Sequence, residues 1–305
     1  MPSPKSPSSP FTRYAALSSV LFAGTLWGVI SLFIRPLSRA GFTMGQVVFL
    51  RSLVSVVAMG ALLGVCRPAL LRVRWRDLWY FVGTGAISIY CFSWCYFQTI
   101  AMGYAAVGGV LLYTSPAFVM ILSRILFHEA LTLRKLIALG LIFVGSILVS
   151  GVGSHTGALP ARVVLCGIAS GFLYALYSIF ATPALRKYSV LTLLFYTFLF
   201  ATLAGAFACH PIQIVQLFQQ NPTTLLDLAG AGILCTTLPY FFYSWGMART
   251  TPAKAAILVA VEPLVCTLLG AFAYHETMTL PRWTGAAAIL AAILLLAHAS
   301  RASDD

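Results

Sequence analysis

Residues 14–152 and 161–299 are two copies of one unit, offset by 147 positions with no gap. Trp27 maps onto Tyr174, Ser31 onto Ser178, Pro36 onto Pro183 and Arg39 onto Arg186. Further along, Gly83 and Gly85 map onto Gly230 and Gly232, Tyr96 onto Tyr243, and Pro116 onto Pro263. His128-Glu129 falls on His275-Glu276, and Thr132 on Thr279. So many matches at one fixed offset are not chance, and any fold for this chain must hold the same unit twice.

Composition says what surrounds those units. With 60% hydrophobic and 9% charged residues and a mean hydropathy of +0.92, an ordinary soluble domain is excluded. Ten apolar stretches recur at about 14–34, 44–66, 78–100, 104–127, 133–152, 161–181, 189–209, 224–246, 253–273 and 281–299. Each is long enough to cross roughly 30 Å of hydrocarbon at about 1.5 Å per residue. The predicted fold class is therefore an all-α integral membrane protein of ten transmembrane helices, five to a repeat. Residues 1–13 lead into it, and the Pro- and Ser-rich stretch 1–10 reads as a disordered cytoplasmic tail.

Basic residues give the orientation. With the N-terminus cytoplasmic, fourteen Lys and Arg fall inside, and Arg35, Arg39, Arg162 and Arg282 fall outside. That bias satisfies the positive-inside rule with both termini in the cytoplasm of a cell (inner) membrane. Five spans per repeat force the second copy upside down, so the halves form an inverted pair. The bias also accounts for the net charge of +12, which then gives no argument for nucleic acid. Anionic lipid headgroups suit the Arg67–Arg76 cluster better.

Several chemistries find no support. The sequence has no phosphate-binding G-x-x-x-x-G-K-[ST] loop and no H-E-x-x-H zinc motif, and nothing in it calls for a metal or cofactor. The seven cysteines have neither zinc nor redox spacing and read as packing residues. In the inverted topology the two His-Glu pairs lie on opposite faces of the membrane. That suits structural junctions rather than one active site, with Thr132 and Thr279 capping the helices that follow.

Thr25-Leu26-Trp27-Gly28 and Arg51, with Pro116 twelve residues before His128-Glu129, and Glu262-Pro263 before His275-Glu276 and Gly285, resemble the EamA-type branch of the drug/metabolite transporter superfamily. In that family the residue before the terminal Glu is commonly Gly, whereas here it is His in both halves. The resemblance implies a central cavity lined mainly by spans 1, 3, 4, 6, 8 and 9, worked by rocking of helix groups. It also implies a small-molecule substrate such as an amino acid, amine or nucleobase, moved most often outward.

Polar and aromatic side chains deep in spans are costly in lipid and should face that interior. These are Trp27 and Ser31 in span 1, Tyr174 and Ser178 in span 6, Tyr113 and Ser115 in span 4, and Tyr240 and Trp245 in span 8. In span 3, Tyr90, Trp94 and Gln98 share one helix face by their four-residue spacing. Trp75, Trp79 and Trp283, near span ends, read instead as interfacial anchors. Pro116 and Pro263 interrupt the hydrogen bonding of spans 4 and 9, either shaping the bundle or providing a hinge.

Among seven acids only Glu262 lies mid-span, and Arg51 is the only basic residue well inside one. A mid-membrane acid must be paired, protonated or wet. Glu262 and Arg51 either pair structurally, or Glu262 meets a substrate ammonium or a coupling proton while Arg51 has a separate structural or gating role. The leading reading is a secondary transporter; the alternative is a membrane-embedded enzyme or lipid-handling protein. Oligomeric state is not legible.

Overall fold

The computed structural model describes residues 10–151, 159–207, 209–275 and 277–299. The expected tail lies outside them up to residue 9, and helix begins at Pro10. Among the described residues nine runs are long and apolar enough to cross a membrane: Tyr14–Arg39, Met44–Cys66, Trp75–Ala101, Ala105–Phe127, Leu133–Ser150, Ala161–Leu185, Thr224–Met247, Pro252–Tyr274 and Leu280–Ala297. Val190–Ala206, 17 residues long, completes the ten. In chain order they are spans 1 to 10, Val190–Ala206 being span 7.

The two halves repeat one another in detail. A Cβ on Gly83 would overlap the ring of Phe180, and a Cβ on Gly230 would overlap the ring of Phe33. Phe33 and Phe180 are themselves 147 positions apart, so one interlock is made twice with the halves exchanged. Spans 3 and 8 each widen into π-helical turns nearby, at Gly83–Cys91 and Ile233–Thr237. Such turns are frequent at functional sites.

Spans 4 and 9 are each broken, after Leu112 and after Leu258, two to four residues before their prolines. Pro116 and Pro263 then sit in the first turn of the next helical segment, where a missing N–H costs nothing. Each break leaves carbonyls without helical partners, and glycines of the other half approach them. A Cβ on Gly24 would meet Val259 O, and one on Gly171 would meet Leu112 O, again equivalent positions. Span 1 departs from the symmetry. It breaks at Val29–Ile30, after Gly28, whereas span 6 runs unbroken through the matching stretch.

The helix junctions explain the His-Glu pairs. His128 and His275 cap spans 4 and 9 in the left-handed region, at φ 56° and 54°, and are the only non-glycine residues with positive φ among those described. That conformation favours glycine, so a histidine in each slot holds it at some cost. Glu129 accepts a 2.7 Å hydrogen bond from Lys135 Nζ and a 3.4 Å one from the Ala253 N–H, bracing span 9 at its start. Thr132 caps the next helix by accepting from Lys135 N. Glu276 lies outside the described residues.

Contacts between spans define the two ends of the bundle. At one, Arg35 lies over the Tyr274 ring at 3.5 Å, and Gln46 Nε2 donates to Gln213 Oε1. At the other, Lys187 Nζ donates to Asp77 Oδ1 at 2.6 Å and the Tyr188 hydroxyl to Oδ2 at 2.7 Å. Thr192 and Tyr196 also donate there to the carbonyls of Leu70 and Leu71. These are the Arg35 end and the Asp77 end.

Candidate functional site

A cavity of about 310 Å³ runs from the middle of the bundle towards the Arg35 end. Trp27 and Ser31 from span 1, Arg51 from span 2, Tyr113 from span 4, Tyr174 from span 6, Tyr240 from span 8 and Glu262 from span 9 all line it. Seven of the residues expected from the sequence are thus brought to one space. The break in span 1 places Gly28, Ile30 and Ser31 on its wall, and Gly28 packs so closely on span 9 that a Cβ would sit 3.0 Å from Glu262 O.

Arg51 is 8% exposed, and its Nε has no hydrogen-bond partner. Among the described residues no ion pair joins it to Glu262, whose carboxylate is partly exposed in the cavity. The cavity therefore holds one acidic and one basic side chain that do not pair with each other. A buried guanidinium with an idle donor is expensive unless something binds it.

Beneath the cavity, towards the Asp77 end, the space shrinks to about 10 Å³, room for a water at most. Ser115 and Ser178 lie here, with Tyr177 and Tyr243. Tyr177 and Ser244 hydroxyls meet at 2.7 Å, and those of Ser178 and Tyr243 at 2.8 Å. The Trp27 ring packs on Tyr240 at 4.9 Å and on Tyr243 at 5.7 Å, completing an aromatic floor.

The remaining candidates lie elsewhere. Tyr90, Trp94 and Gln98 do share a face, but it lines an adjoining groove between spans 2 and 3, which shares Met44, Ser93, Phe97 and Ile100 with the cavity, and Trp94 is 54% exposed. Trp245 lines a side groove with Ser19 and Phe22, and its ring carries the Arg249 guanidinium at 3.9 Å. Pro116 and Pro263 follow the helix breaks and do not line the cavity. The adjacent face of span 3 supplies the cavity wall instead, through Phe92, Ser93, Tyr96, Phe97 and Ile100. Tyr96 was within reach of the sequence, as one of the residues the repeat preserves. Arg35, assigned to an outside loop, lies inside span 1 and lines the cavity mouth. Cys266, four residues beyond Glu262, completes that wall.

An inverted pair of helical units around a polar midplane cavity is the architecture of a membrane transporter. The chain belongs to the EamA-like transporter family, which matches it twice, over residues 15–151 and 161–297. An uncharacterized transporter of Archaeoglobus fulgidus is 29% identical over 93% of this chain and 96% of its own. The uncharacterized inner membrane transporter YicL of Salmonella typhimurium is 26% identical over 95% and 97%. A protein crystal structure has the same fold, with a TM-score of 0.76 over 96% of this chain and 99% of that one, at 17% identity.

Proposed function

We propose that this transporter carries a small zwitterionic metabolite, an amino acid or a close relative, by alternating access. The observation that carries the reading is that Arg51 and Glu262 line one cavity without pairing. A substrate carboxylate would meet the Arg51 guanidinium and its ammonium the Glu262 carboxylate, with Trp27, Tyr174 and Tyr240 around the remainder. A simple amine would leave Arg51 unanswered, so the cavity favours the zwitterion over the amine. The bias of basic residues supports both termini in the cytoplasm of the cell membrane, with the Arg35 end outside. Outward transport follows the usual direction in the family, and Glu262 is the residue suited to couple a proton.

The test is counterflow in sealed proteoliposomes, comparing labelled amino acids with monoamines. Amino acids should exchange, and Arg51→Gln and Glu262→Gln should each stop the exchange. Exchange of a monoamine but of no amino acid would overturn the zwitterion reading. For orientation, a cysteine at Ala40 should react with an impermeant reagent in intact cells and one at Lys187 should not.

A further inference from the structure

The open cavity and the closed floor are built from the same slots. Shifted by 147 positions, all eleven residues lining the closed space land on residues lining the open cavity. Val119 lands on Cys266, Ala256 on Gly109 and Val259 on Leu112. One molecule thus shows the same half-site twice, once shut and once open.

What shuts the floor can therefore be looked for at the open end. Ser178–Tyr243 and Tyr177–Ser244 tie span 6 to span 8. Their equivalents are Ser31 with Tyr96 and Ile30 with Phe97, and all four line the open cavity. Among the described residues neither the Ser31 nor the Tyr96 hydroxyl makes a hydrogen bond within the protein. Facing an open cavity they can be solvated; buried by closure they would have to pair.

We propose that Ser31 and Tyr96 form the seal of the Arg35 end, their hydroxyls meeting as those of Ser178 and Tyr243 now do. Ile30 and Phe97 close against each other beside them, an apolar contact in the slots where the floor has Tyr177 and Ser244. Ser31 is then a gate residue rather than a substrate ligand. The assignment rests on alternating access and adds to it the side chains that make the second closed state. In that state Cys266, now exposed, is shielded as Val119 is here at 2% exposure.

The experiment pulses the purified full-length protein with N-ethylmaleimide and reads Cys266 by peptide-resolved mass spectrometry. Tyr243→Phe weakens the lock of the floor, so the ratio of protected to reactive Cys266 should rise about two- to tenfold, the worth of one hydrogen bond. Adding Tyr96→Phe weakens the other seal and should return the ratio towards the wild-type value. Ser31→Ala should do the same in that background, and Ser31→Thr, which keeps the hydroxyl, should not. Cys266 that stays protected when Tyr96→Phe is added to Tyr243→Phe would overturn the seal. So would an unchanged ratio in Tyr243→Phe protein; if that protein still exchanges substrate, only the seal falls and the transport reading stands.

Discussion

Tyr96 and Tyr243 occupy one slot of the repeat, yet Tyr96 lines the open cavity while Tyr243 is 5% exposed and bonded in the floor. The same holds for Ser31 and Ser178. Identical residues in equivalent slots therefore do not fix which end is closed. The balance must come from places where the two copies differ, and several of these bear directly on closure.

At the Asp77 end, closure is held by two hydroxyl pairs, by the Asp77–Lys187 ion pair and by the Tyr188 bond to Asp77. The slots equivalent to Asp77, Lys187 and Tyr188 are Thr224, Ala40 and Gly41, which cannot make that latch. Ile30 and Phe97 likewise cannot make the second hydroxyl bond. In these slots the Asp77 end has polar ties that the equivalent residues of the Arg35 end cannot form. That is a physical reason for the state seen here, closed at the Asp77 end and open at the other. Ligand charge is asymmetric too, because Glu262 and Arg51 stand opposite Ser115 and Phe198 in the repeat.

This comparison between equivalent slots can be broken directly. The largest effect is expected at the charged slot. Glu262→Gln should reduce counterflow at least a hundredfold without loss of expression, whereas Ser115→Ala in the matching slot should change it less than fivefold, since hydrogen bonds to a charged group are worth about twice those between neutral groups. Equal losses would mean that the asymmetry of charge is not what recognises substrate. Next is Trp27→Ala, which should weaken substrate binding about tenfold or more, as judged by ligand-induced thermal stabilisation. Trp94→Ala should leave it nearly unchanged, because its ring lies in the neighbouring groove; an equal weakening would place the groove in the binding site.

The glycine interlocks should behave alike in both halves. Gly83→Ala and Gly230→Ala each push a methyl into an equivalent phenylalanine ring and should each destabilise by about 1–3 kcal/mol, measured by thermal unfolding in detergent. A large difference between the two would show that one interlock is much the looser. The smallest effect is expected at the helix ends. His128→Gly relieves a left-handed backbone and should stabilise by up to about 1 kcal/mol, provided the histidine ring contributes no packing. His275→Gly should match it, and a loss of stability at either site would show a side-chain role that the backbone does not suggest.

Much of this was legible in the residues. The offset of 147 and the recurrent apolar runs led to ten spans in two inverted units, because span length and charge bias are set by the bilayer itself. Mid-span polarity singled out Trp27, Ser31, Tyr113, Tyr174, Tyr240, Arg51 and Glu262, which all line one cavity, since lipid penalises such groups wherever they cannot turn inward. The candidates that lie outside that cavity share one cause. A four-residue spacing shows that Tyr90, Trp94 and Gln98 point the same way but not which way, and the π-helical turns beside them change how that face is aimed. Depth alone did not separate Trp245, which packs under Arg249 at the bundle side.

By itself the sequence determined the solvent, the number of crossings, the duplication and the slots where the copies differ. All of these depend on residue type and on distance along the chain. Only the tertiary structure decided that Arg51 and Glu262 share a cavity without touching, and that one set of repeat slots is open while its twin is shut. Those outcomes depend on how helices from opposite halves rotate and press against one another, and residues that meet across that seam lie far apart along the chain.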